Sequence, residues 1–179
     1  MGIETPTTTE IEIKKPEPVM NDCDVLNPVL PMQDKVALAG HIADTLKFVI
    51  KSQNLSITIS NKEYVLLEGW NTLGIILGCT PYVEEVREIS FSEKKHQWGY
   101  EATVSIRQGE NILSRASAIA ERNKRQTDRP SVYSMAQTRA TGKAFRLALS
   151  WIIKMAGYNP TPAEEMPDFK EIKIMEDKE

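Results

Sequence analysis

Cysteine is scarce in this chain: Cys23 and Cys79 are the only two in 179 residues. A disulfide framework is thereby excluded, and the usage fits a reducing compartment, giving the expectation of a cytoplasmic protein. Histidine is equally sparse, with His41 and His96 alone. Neither lies at ligand spacing from a cysteine or carboxylate cluster, so the sequence gives no reason to expect a zinc site. No apolar run approaches the roughly 18 residues that a membrane span requires. The first 18 residues carry acids and threonines with no apolar stretch, so they do not read as a signal peptide. No G-x-x-x-x-G-K-[ST] run occurs, which removes the P-loop NTPase reading and leaves no nucleotide cofactor to expect.

What is present is an ordinary globular mixture, 41% hydrophobic and 26% charged, sized for one domain. The net charge of −3 conceals an uneven distribution. Residues 107–157 hold ten bases and three acids, a net of +7. Residues 1–31 and 158–179 each carry a net of −4. A basic segment between acidic ends suggests a polyanionic partner, and equally describes a solvated face offset by its tails.

Five prolines with Thr, Glu and Asp in residues 1–31 predict a disordered acidic arm. The single domain is expected over 32–157 and a mobile acidic tail over 158–179. Apolar residues at Val36, Leu38/Ala39, Ile42/Ala43, Leu46 and Val49/Ile50 predict a helix over 33–53. A hairpin follows, turning at Asn61-Lys62, then a short helix over 70–78 that stops at Gly78. Thr80-Pro81 is expected to interrupt regular structure. Three strands follow, at 82–91, 97–107 and 112–122. The second alternates cleanly, and the third places Ala116, Ala118 and Ala120 on one face. Gln108-Gly109-Glu110-Asn111 joins them as a tight turn. A long helix over 130–156 begins at Pro130 and ends before Gly157. The order defines an α+β fold: an N-terminal helix, a small hairpin, and an antiparallel three-stranded meander packed against a long C-terminal helix.

At 100° per residue, Arg139, Lys143, Arg146, Ser150 and Lys154 fall in one arc of the long helix. Apolar residues, Trp151 and Met155 among them, take the rest. The cationic arc reads as a phosphate-tracking rail or as a plain solvated face. Arg115 and Arg122 on the last strand, and Lys124, Arg125 and Arg129 in the loop, add to the rail reading. Arg107 and Arg115 also suit strand edges that must resist pairing. Trp98, Tyr100 and Tyr133 are the nearest aromatics; the first two suit a core, and Tyr133 suits stacking with a base. Catalytic readings find little support: His41, His96 and Cys79 lack partners for a triad, and Glu84, Glu85, Glu88 and Glu101 lack nuclease spacing.

The helix segment Thr138-Arg139-Ala140-Thr141-Gly142-Lys143-Ala144-Phe145-Arg146 reads T-x-A-x-x-K-A-F-R. It resembles the T-x-A-x-x-[KR]-A-[LF]-R signature of single-strand annealing proteins. That superfamily includes the eukaryotic double-strand-break annealing mediator and the phage Erf and Red-beta recombinases. The order of elements over about 33–157 is similar too. Segments 134–140 and 156–167 are also similar to uncharacterised phage and archaeal proteins grouped near that family. The resemblance implies a non-enzymatic, ATP-independent protein of recombination and repair, working in a prokaryotic or phage-infected cell. It would bind single-stranded DNA, pair complementary strands and assemble as a homo-oligomeric ring or filament. It carries over Lys143 and Arg146; Arg115, Arg122, Lys124, Arg125, Arg129, Tyr133 and Arg139 rest on charge or position alone. The acidic tail is a candidate competitor for the basic face, a docking site for replication or recombination proteins, or a solubilising end. Two alternatives remain: a single-strand binder that does not anneal, and an oligomeric protein–protein adaptor with a basic face.

Overall fold

The computed structural model describes residues 22–90, 98–122 and 128–166. The first long helix, α1 (Met32–Ser52), buries Ala39, Ile42, Ala43, Leu46 and Ile50 along one stripe. Strands β1 (Ser56–Ile59) and β2 (Lys62–Val65) form a hairpin in which Ile59 pairs with Lys62. Its turn is Ser60-Asn61, one residue earlier than expected; both have positive φ, 50° and 60°, as a primed turn requires.

Helix α2 (Leu67–Ile76) starts three residues before the expected Trp70. Its first turn has no local side-chain cap. Instead the Leu67 N–H donates to Glu164 Oε1 at 2.8 Å, from a segment 97 positions away. Gly78, at φ +64°, closes α2 as expected and sends the chain directly into a strand.

That strand, β3 (Cys79–Ser90), pairs with β4 (Trp98–Gln108), which pairs with β5 (Asn111–Glu121). All pairs are antiparallel, so the expected meander is present. Pro81 does not interrupt the chain: it faces Ile106 in β3, an edge strand, where a missing backbone donor is tolerated. The central position of β4 also corrects the reading of Arg107 as an edge residue.

Helix α3 (Arg129–Met155) covers one face of this sheet. The Asp128 side chain accepts the Ser131 N–H at 3.0 Å, capping the helix, and Gly157 at φ +90° follows its end. Ala136, Ala140 and Ala144 of α3 are fully buried with Ala102, Val104 and Ile106 of β4 and Ala118 and Ala120 of β5. Small side chains on both layers let the helix axis come close, and Ser114 Oγ donates to the Ala144 carbonyl at 2.7 Å. Phe145 fills the angle between α3 and α2: a Cβ on Gly74 would lie 2.7 Å from its Cε1. The buried stripe of α3 is narrower than expected, since Trp151 and Met155 are exposed.

Structure extends past both expected domain boundaries. Asp22–Leu26 forms a 3-10 turn whose Val25 joins the main core, so the arm is not irregular up to residue 31. After α3, the Asn159 N–H donates to the Glu63 carbonyl at 2.9 Å, and Ala163–Glu165 forms a second 3-10 turn. Ala163 is buried with Ile59 and Tyr64 under the β1–β2 hairpin. Apolar contacts thus pin residues 158–166, which charge composition assigned to a mobile tail.

Candidate nucleic-acid interface

Strand β5 is the other edge of the sheet, and α3 runs alongside it. An edge strand presents unpaired backbone groups that need partners. Two helix cations supply them. Arg139 Nη1 donates to the Ile119 carbonyl at 3.1 Å, and Lys143 Nζ reaches the Ser117 carbonyl at 3.5 Å. Edge protection therefore comes from the helix. Both acceptors are neutral, so neither contact cancels a charge. Burial pulls the Arg139 guanidinium below its ordinary value, opposed by the charge of Glu121, and arginine remains cationic throughout.

One turn further along α3, Arg146 Nη1 lies 2.8 Å from Glu165 Oε2. Arg139 and Lys143 line a groove of about 320 Å³ with Ala118, Ile119, Glu164, Glu165 and Met166. The rise of a helix separates residues three or four apart by about 4.5–6 Å, so the three cations form a row along the open strand edge. Burial pushes the Glu165 carboxyl above the usual carboxylate range, against the opposing charges of Arg146 and Lys143.

The other candidate residues are placed elsewhere. Arg115 projects from the sheet face away from α3, where its Nε lies 2.7 Å from Glu84 Oε2. Arg107 pairs with the same carboxylate at 3.3 Å and stands 4.0 Å from the Tyr82 ring centre. Hydrogen bonds, chiefly from Arg115 and then from Ser105 and Arg107, hold the Glu84 carboxyl below its ordinary value. Arg87 pairs with Glu101 on the same face through a 2.7 Å hydrogen bond.

At the start of α3, Arg129 pairs with Glu88, contacts the Tyr100 hydroxyl at 3.4 Å, and lies 5.3 Å from the Trp98 ring centre. Glu88 chiefly raises the Arg129 pKa further. Trp98, Tyr100 and Tyr133 form an edge-to-face series with ring centres 6.1 and 5.4 Å apart. Trp98 and Tyr100 pack against the core, while Tyr133 is 40% exposed. Arg122 is exposed just beyond β5, and its backbone N–H donates to the Trp98 carbonyl at 3.0 Å. Lys124, Arg125 and His96 lie outside the described residues.

The structure therefore brings Arg139, Lys143 and Arg146 together and separates Arg115 and Arg129 from them. Charge counting missed Glu165 as part of the groove. Its signal was the apolar Pro162-Ala163 pair just before it, unusual in a solvated tail. Cys79 is buried, and burial pushes its thiol up to about 11, which makes it a poor nucleophile. No group of three potential metal ligands occurs among the described residues, and no described helix is long and apolar enough to cross a membrane. Comparison with protein-family models, curated proteins and solved structures finds no match to this chain.

Proposed function

We propose that the chain binds single-stranded DNA along the seam between α3 and β5 and promotes ATP-independent annealing of complementary strands. The observation that carries this reading is the row Arg139, Lys143, Arg146 beside an open groove, with two of the three cations bonded to neutral carbonyls. Cations spaced along a groove hold phosphates without reading sequence. They also lower the repulsion between two incoming strands, and bases left outside the groove keep their pairing edges. The resemblance of residues 138–146 to the annealing signature supports the same reading. Its apolar positions, Ala140, Ala144 and Phe145, are buried, while Lys143 lines the groove and Arg146 pairs with Glu165, which also lines it. Tyr133, exposed and braced by Tyr100, offers a ring for stacking at the far end of α3.

The test is fluorescence anisotropy of a labelled single-stranded oligonucleotide, with unlabelled duplex as competitor. Salt-sensitive binding that duplex fails to displace is expected, followed by accelerated pairing of complementary strands. Binding without pairing would reduce the function to strand protection. No binding at low salt would favour an adaptor, for which the exposed Leu147, Trp151 and Met155, spaced one turn apart on α3, supply a contact ridge.

A further inference from the structure

The basic groove already holds an anion of its own. Glu165 Oε2 sits 2.8 Å from Arg146 Nη1, and the charge of Lys143 also acts on the carboxylate. The side chain of Glu165 is 12% exposed, yet its Oε1 is buried and has no hydrogen-bond partner among the described residues. An ionised carboxylate has acceptor sites on both oxygens, and half of this capacity is unused here. Burying it in that state is unfavourable.

The backbone that delivers this carboxylate is fixed independently of the charge. Pro162 packs on Gly142 of α3, where a Cβ would meet its Cγ at 3.3 Å. Ala163 is buried under the hairpin, and Glu164 caps α2 through the Leu67 N–H. Only the Glu165 side chain needs to turn for the seat between Lys143 and Arg146 to open.

We propose that Glu165 occupies a phosphate seat, and that single-stranded DNA enters the groove by exchanging one backbone phosphate for this carboxylate. The inference rests on the proposed single-strand binding and adds its regulation. A phosphate presents more acceptor oxygens than the half-used carboxylate and can engage the Arg146 fork and Lys143 together. Apparent affinity is lowered by the fraction of molecules in which Glu165 holds the seat. The chain thus sets a threshold that a run of phosphates passes more readily than a single small anion.

The experiment compares the full-length chain with Glu165→Gln, which keeps the shape and removes the charge. Glu68→Gln on α2, an exposed acid, makes the same change in net charge elsewhere. Binding of a labelled single-stranded oligonucleotide is measured by anisotropy, with circular dichroism checking the fold. Glu165→Gln is expected to bind about tenfold more tightly, the equivalent of one charge-assisted contact, while Glu68→Gln stays at the parental value. Glu165→Asp, which keeps the charge on a shorter arm, serves if the Gln variant fails to fold and is expected to fall between. Parental binding with no tightening in Glu165→Gln, or equal tightening in Glu68→Gln, overturns the proposal and leaves single-strand binding intact. Absence of binding by every variant at low salt overturns the underlying reading.

Discussion

The sheet carries arginines on its outer face and cations along its seam with α3, in different company. On the outer face, Arg115 and Arg107 share the Glu84 carboxylate, and Arg87 pairs with Glu101. Along the seam, Arg139 and Lys143 bond neutral carbonyls of β5, and Arg146 pairs with Glu165. A guanidinium with a carboxylate of its own contributes little net field, and the two that share Glu84 leave one positive charge between them, whereas one bonded to a carbonyl keeps its charge. Counting bases cannot separate the two cases; the acceptor each base meets does.

Breaking the layer beneath both regions gives the largest effect. Phe145→Ala removes the side chain that wedges α3 against α2, and is expected to cost about 3–5 kcal/mol in denaturant unfolding. Loss of less than about 1 kcal/mol would mean that α3 is held by other contacts.

A sharper separation comes from the paired variants Arg139→Gln/Lys143→Gln and Arg115→Gln. The partners of Arg139 and Lys143 are edge carbonyls that water can reach, so the double variant keeps the fold. At ~1.5 kcal/mol for each charge-assisted contact, it is expected to bind single-stranded DNA about 100-fold more weakly. Arg115→Gln should leave binding unchanged and lower stability by at most about 1 kcal/mol, as an exposed pair does. Equal losses in both would erase the distinction between face and seam.

Acid should pull the two regions in opposite directions. Glu84 titrates below its ordinary value of 4.5, so its pairing stabilises the fold above that pH and is lost as pH falls through its folded value. Glu165 titrates above 4.5, so its contribution is complete below that value and is lost as pH rises through the folded pKa. Glu84→Gln should therefore flatten the acid limb of thermal unfolding. Glu165→Gln should raise stability near neutrality, with the gain shrinking on acidification. A matching slope change in both variants would contradict the assigned environments.

Much of the fold was legible because its signals are local. The alternation of 97–107, the Gly109 turn, Pro130 and Gly157 set β4, β5 and α3 to within one residue, while β3 begins three residues earlier than expected. Arg115, expected to join the helix cations, lies on the strand face opposite Ala116, Ala118 and Ala120, away from the helix and paired with Glu84. Distant partners were not legible. The start of α2 depends on Glu164, and Pro81 sits in a strand because β3 lies at an edge. Trp151 is apolar yet exposed, since the alanine stripe, not the largest side chains, faces the sheet. Within the site, the helical arc gave Arg139, Lys143 and Arg146, but not Glu165, whose place follows from Pro162 and Ala163 packing on other elements.

The central claim is that the seam, and not the outer face, meets the phosphates. Its most direct test is the salt dependence of single-strand binding in the parental chain, Arg139→Gln/Lys143→Gln and Arg115→Gln. The slope of log affinity against log salt should be shallower in the double variant by about 1.4, at roughly 0.7 for each phosphate contact removed. It should match the parental slope in Arg115→Gln. A slope unchanged in the double variant, or lowered by Arg115→Gln, would place the DNA on another surface.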